Sequence, residues 1–153
     1  MKIKGLISED LVNYKKPSMT IIFPYCTFKC GEGNCQNSEL AKAPIIEMNV
    51  NNLVDRYINN PITEAVVMQG LEPFDSWNDL IEFVKQLRES TDDDIVIYTG
   101  YYKEEIIDKV EILRKYKNII IKYGRFLYND KPIFDDILGI TLASSNQYAE
   151  RIS

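Results

Sequence analysis

Cys26, Cys30 and Cys35 are the only cysteines in a chain of 153 residues, and they fall within ten positions. They follow a short apolar run, Thr20-Ile21-Ile22-Phe23, and the break at Pro24. One loop is thereby the seat of any thiolate chemistry. Three thiolates in a loop suit three corners of a four-iron cluster. Such clusters are normally held by four cysteines, so a set of three leaves one iron open. An open coordination position is where a substrate or cofactor binds, as at catalytic zinc sites with three protein ligands. Zinc is the competing reading, but it wants a fourth ligand. The chain has no histidine, so an aspartate or glutamate would have to serve. A disulfide framework fits poorly, because the count is odd and no secretory cue precedes it.

The charge balance narrows the partners. A net charge of −5 and a pI near 4.8 argue against a nucleic-acid binder, whose affinity rests on clustered positive charge. No segment has the apolar length needed to cross a bilayer, so no membrane partner is expected. Ser8-Glu9-Asp10 stands where a signal peptide would need its apolar stretch, and the expected location is cytoplasmic. No repeat or linker interrupts the chain, which predicts one domain over 1–153 with the cluster loop at 24–37.

Periodicity predicts alternating strands and helices. Thr20–Phe23, Glu64–Gln69, Asp94–Thr99 and Asn118–Tyr123 read as strands. Between them, Val50, Leu53, Val54, Tyr57 and Ile58 recur at helical spacing, stopped by Asn59-Asn60-Pro61. A second helix carries Trp77, Leu80, Ile81, Val84 and Leu87 on one face, with Ser76 as its expected cap. A third is marked by Ile106, Ile107, Val110, Leu113 and Tyr116. This alternation implies an α/β fold of right-handed βαβ units with a mainly parallel sheet. The acidic run Asp92-Asp93-Asp94 reads as a solvated turn without metal, and the many tyrosines of the second half read mostly as core or core edge.

Five of the seven glycines, Gly31, Gly33, Gly70, Gly100 and Gly124, follow predicted strands. In parallel sheets and barrels that edge carries the ligand site. Glycine there lets backbone approach a ligand, or simply punctuates the strand-to-helix turn.

These residues resemble the radical S-adenosylmethionine superfamily and, within it, the activating proteins of anaerobic ribonucleotide reductase. The cysteine loop corresponds to the superfamily's three-cysteine motif, and Cys35-Gln36-Asn37 is similar to its usual ending. Gln69-Gly70-Leu71-Glu72-Pro73 resembles the Gly-Gly-Glu-Pro segment that holds the methionine ammonium. Ile97-Tyr98-Thr99-Gly100-Tyr101 and Tyr123-Gly124-Arg125-Phe126 resemble two further strand ends of the family. Ala143-Ser144-Ser145-Asn146-Gln147 is similar to the Gly-Ser-Ser-Asn-Gln of the reductase activases. The chain departs from the pattern in its Cys-x3-Cys-x4-Cys spacing, where the family has Cys-x3-Cys-x2-Cys. It departs again at Leu71, Tyr123 and Ala143.

The resemblance implies a small open partial (βα) barrel. It implies a [4Fe–4S] cluster on Cys26, Cys30 and Cys35, with S-adenosylmethionine chelating the fourth iron. Asn34, Gln36, Gln69, Gly70, Leu71, Glu72, Thr99 and Gly100 are the implied S-adenosylmethionine contacts. The implied reaction is reductive cleavage to methionine and a 5′-deoxyadenosyl radical, fed by a flavodoxin-type electron donor. The radical then makes a glycyl radical on the large subunit of anaerobic ribonucleotide reductase. Hydrogen-atom transfer needs no proton base near neutral pH, which agrees with the missing histidines. A short sheet without a capping domain suits a protein loop as substrate better than a small molecule. The alternatives are a radical enzyme for another glycyl-radical protein or a small metabolite, and a non-catalytic zinc or iron–sulfur interaction module.

Overall fold

The computed structural model describes residues 1–27, 31 and 37–153; residues 28–30 and 32–36 lie outside the described residues. Strands β1 (Lys2–Ile3), β2 (Gly5–Asp10) and β3 (Ser18–Phe23) precede the cysteine loop. A 3-10 turn (Ser38–Lys42), β4 (Ile46–Glu47) and α1 (Val50–Ile58) follow it. The alternation runs on through β5 (Ala65–Gly70), α2 (Trp77–Arg88), β6 (Asp94–Tyr98), α3 (Ile107–Leu113) and β7 (Ile119–Tyr123). A hairpin of β8 (Ile133–Asp135) and β9 (Ile140–Leu142) leads to β10 (Tyr148–Arg151).

The main sheet has six strands in the order β10-β7-β6-β5-β3-β2. Its centre, β3, β5, β6 and β7, is parallel, and β2 and β10 run antiparallel at the two edges. Sheet neighbours in the centre are also successive strands, so every crossover steps the same way and puts its helix on the same face. The packing agrees: Leu53, Val54, Tyr57, Leu80, Phe83, Val84, Leu87, Val110 and Leu113 share one core with Met19, Ile21, Phe23, Val66, Met68, Ile95, Ile97, Ile119 and Ile121. Alternate residues Ala65, Val67, Val96 and Ile120 point the other way. That face is covered by Tyr14, Leu138, Leu142 and Ala149 rather than by helices. Both faces of the central strands are thus buried, which accounts for their continuous apolar runs.

Local chemistry sets the helix ends. The Asn49 side chain accepts from the Asn51 amide at 2.8 Å and caps α1. Ser76 makes no such cap for α2, contrary to the sequence expectation. A 3-10 turn over Pro73–Ser76 runs directly into α2, and Glu72 caps that turn by accepting from the Phe74 amide at 3.0 Å. The third helix is shorter than its apolar spacing, because Lys115 and Tyr116 close tight turns onto Ile112 and Leu113. Among the tyrosines, Tyr123 is fully buried and Tyr128 is exposed.

The acidic run also departs from expectation. Asp92 and Asp93 are exposed, but Asp94 is buried at the start of β6. It accepts from the Tyr14 hydroxyl at 2.9 Å and from Lys16 at 2.6 Å, and pairs with Arg151 at 3.0 Å. Burial raises its pKa, but the hydrogen bonds from Lys16, Tyr14 and Arg151 outweigh burial and hold the carboxyl below its usual range. Asp94 thereby fastens the segment over the helix-free face and the last strand to the amino end of the sheet. Its contribution is present above the unfolded carboxyl pKa of 3.8 and fades as pH falls through the lower folded value. Asp94→Ala is expected to cost roughly 3 kcal/mol in urea unfolding at neutral pH, with the gap to the parent narrowing below about pH 4.

Candidate functional site

The start and the end of the cysteine loop are tied to the carboxyl end of β5. Pairing between β3 and β5 continues past the strands, with the Leu71 amide donating to the Phe23 carbonyl at 3.3 Å. The Glu72 amide donates to the Tyr25 carbonyl at 2.7 Å. One residue after half-buried Cys26, the Thr27 amide donates to Asp75 Oδ2 at 3.0 Å. At the far end of the loop, Asn37 Nδ2 donates to the Gly70 carbonyl at 2.8 Å.

Glu72 is the hub of this edge. It is 3% exposed, yet its carboxylate accepts three hydrogen bonds. Oε1 accepts from the Phe74 amide at 3.0 Å and the Thr99 hydroxyl at 2.9 Å. Oε2 accepts from the Gly100 amide at 2.8 Å. Burial pushes its pKa up to about 7; the Gly100, Phe74 and Thr99 donors pull against that, and nearby Asp75 adds to the rise. A carboxyl so poised responds to any charge placed beside it.

These residues border a cleft of about 470 Å³ at the carboxyl edge. Cys26 and Thr27 stand on its rim together with Gln69, Gly70, Leu71, Glu72, Thr99 and Gly100. Every described residue expected from the sequence to touch S-adenosylmethionine or metal therefore lines one cleft. Cys30, Cys35, Asn34 and Gln36 lie outside the described residues.

Two of the edge glycines are there for packing. Gly70 has φ +107°, and a Cβ on it would stand 2.5 Å from Ile22 Cγ2 and 2.9 Å from the Phe23 amide nitrogen. Gly124 has φ +106°, and its Cβ would approach the Asn146 carbonyl oxygen to 3.2 Å. Turn geometry and close strand packing, rather than ligand approach, require glycine at both.

Sequence reasoning missed Lys122, Tyr98 and Asn13, which also line the cleft. Lys122 is 8% exposed, reaches the Gly124 carbonyl at 3.3 Å and sits 5.7 Å from the Tyr98 ring centroid. Its signal was a lysine at an inward position of an otherwise isoleucine-rich strand. The Ser144–Gln147 element is a clamp. Gln147 Nε2 donates to the Gly124 carbonyl at 3.2 Å, and Asn146 Nδ2 donates to the Arg125 carbonyl at 2.7 Å. Ser144 Oγ accepts from the Leu127 amide at 3.2 Å, so the loop after β7 is held along its length.

The family model of the 4Fe–4S single cluster domain matches residues 18–147. The chain belongs to that family. It is an iron–sulfur protein, and the matched span begins at β3 and ends with the Gln147 clamp. Comparison with curated proteins and with solved structures gives no significant match. Among the described residues, no helix is long and apolar enough to cross a membrane, and no group of three or more potential ligands outside the cysteine loop gathers for a metal ion.

Glu72→Gln is isosteric but turns an amide NH₂ toward one of three donors, and one buried N–H then loses its acceptor. We expect a loss of about 1–3 kcal/mol in urea unfolding of the apo-protein. Because burial raises the Glu72 pKa from 4.5 to about 7, its contribution is complete below about pH 4.5 and is lost as pH rises through about 7. The parent's stability should fall across that window, and the Glu72→Gln protein should lack this component.

Proposed function

We propose that the chain is a radical S-adenosylmethionine enzyme that generates a glycyl radical on anaerobic ribonucleotide reductase, built as an open partial (βα) barrel. One observation carries the reading: Cys26 opens onto the same cleft as Gln69–Glu72 and Thr99–Gly100. A cluster ligand and the segments resembling a methionine site thus share one enclosure. The residues present fit both groups. The volume is that of a small-molecule pocket. The donor set is thiolate-only, as iron–sulfur clusters prefer. Cys26, Cys30 and Cys35 would hold the cluster, and S-adenosylmethionine would lie along β5 and β6 ends. When bound, these groups supply one-electron cleavage of a carbon–sulfur bond, giving methionine and the 5′-deoxyadenosyl radical that takes a hydrogen atom from a glycine Cα.

The chain's own residues bind and orient. Gln69 and the backbone from Gly70 to Leu71 lie along the wall beside the cysteine loop, with Asn37 fastened to the Gly70 carbonyl. Glu72 holds Thr99 and Gly100 in register with that wall. A cation beside Glu72 favours its ionised form, so occupancy by a cationic ligand releases a proton from a carboxyl poised near neutrality. On the helix-free side the cleft is lined by Tyr98 and Lys122.

The mouth favours a macromolecular substrate. Tyr128 and Phe134 are 69% and 60% exposed, and Phe134 stands opposite cleft-lining Thr141 in the β8–β9 hairpin. Phe134, exposed on the hairpin whose Thr141 lines the cleft, suits contact with another protein.

The test is anaerobic reconstitution followed by dithionite and S-adenosylmethionine. Methionine and 5′-deoxyadenosine are expected from the parent and neither from Cys30→Ala. Added reductase should then show a doublet glycyl-radical signal by paramagnetic resonance. Deoxyadenosine without that signal rejects the partner, and no deoxyadenosine rejects the radical chemistry.

A further inference from the structure

We infer that Asp75 is a positioning residue for the iron–sulfur cluster, holding the backbone at Cys26 through the Thr27 amide while Tyr101 holds Asp75 in turn. The inference rests on the cluster assigned by family membership and does not depend on the radical chemistry proposed above. Asp75 Oδ2 accepts from the Thr27 amide at 3.0 Å, one peptide beyond the Cys26 ligand. Oδ1 accepts from the Tyr101 hydroxyl at 2.6 Å. Burial, and then this bond to Asp75, push the Tyr101 hydroxyl up to about 12, so it stays a donor.

The arrangement is continuous with the Glu72 hub. The Tyr101 amide donates to Thr99 Oγ1 at 3.0 Å, and that hydroxyl donates to Glu72 Oε1 at 2.9 Å. The Asp75 amide donates to the Glu72 carbonyl at 3.1 Å. Thr27 is exposed and lies outside any strand, so no sheet ladder fixes its peptide. A half-buried side chain with both oxygens engaged does so instead.

The position of Asp75 adds an electrostatic role. Cys26 and Thr27 border two recesses, the cleft and a shallower one on which Tyr25, Phe74, Asp75, Trp77, Asn78 and Lys109 also lie. Asp75 borders only the second. Its carboxylate therefore reaches the peptide after Cys26 from outside the cleft. Net charge and hydrogen bonding around the ligands set the reduction potential of such clusters, and partners behind the ligands set how firmly metal is held. Asp75 thus serves both to retain the cluster and to keep its potential low.

The experiment compares the parent with Asp75→Ala, Asp75→Asn and Tyr101→Phe, each loaded anaerobically with a [4Fe–4S] cluster. Iron release to a ferrous chelator is followed, and the midpoint potential is read by paramagnetic resonance during reductive titration. Asp75→Ala should release iron roughly tenfold faster than the parent, with Tyr101→Phe changed in the same direction by less. Asp75→Asn keeps the shape and removes the charge, so its potential should move positive. Amide exchange at Thr27 is measured in the cluster-free proteins and should quicken in Asp75→Ala. Parental iron release and potential in both Asp75 variants overturn the inference, as does unchanged Thr27 exchange. A parent that takes up no cluster would instead sink the cluster assignment, while Thr27 exchange would still decide whether Asp75 holds the loop.

Discussion

The site depends on a carboxylate that is both buried and fully used. Glu72 is removed from water, and its two oxygens are met by the Phe74 amide, the Thr99 hydroxyl and the Gly100 amide. A buried carboxylate without partners costs several kcal/mol, while hydrogen bonds to a charged group return roughly 1.5–3 kcal/mol each. The three donors offset part of that burial, and together they tie the ends of β5 and β6 to each other. Asp75 and Tyr101 extend that tie to the peptide after Cys26.

The sheet makes room for the cleft by burying its two faces differently. The three helices pack on one face. The other is covered by the segment around Tyr14, which Asp94 fastens near the amino end, and by the hairpin around Leu138 and Leu142, whose Leu138 carbonyl accepts from the Lys15 amide. The carboxyl end of that face is left as the cleft, floored by Lys122 and Tyr98. A lysine is tolerated there because its ammonium meets a carbonyl and an aromatic ring instead of hydrocarbon alone.

Much of this was legible in the sequence for a simple reason. Central parallel strands and their helices are local apolar patterns, and Ile119-Ile120-Ile121 or Leu80-Val84-Leu87 announce themselves without knowledge of partners. The edge strands did not, since Gly5–Asp10 ends in two acids and Tyr148–Arg151 carries little apolar weight. Asp94 was misread because its three partners are distant in the chain, at Tyr14, Lys16 and Arg151. The glycines marked the right edge, but Gly70 and Gly124 are needed by neighbouring chain. Leu71 fits for the same reason: it follows the glycine that β3 demands, and its own amide continues the pairing to Phe23.

The central claim is that three thiolates leave one iron open toward the cleft that Glu72 organises. Mössbauer spectroscopy of ⁵⁷Fe-reconstituted protein, with and without S-adenosylmethionine, tests it most directly. One iron in four should change its isomer shift on addition of the cofactor while the other three stay put. Four irons that ignore the cofactor, or a metal centre of another kind, would contradict the account.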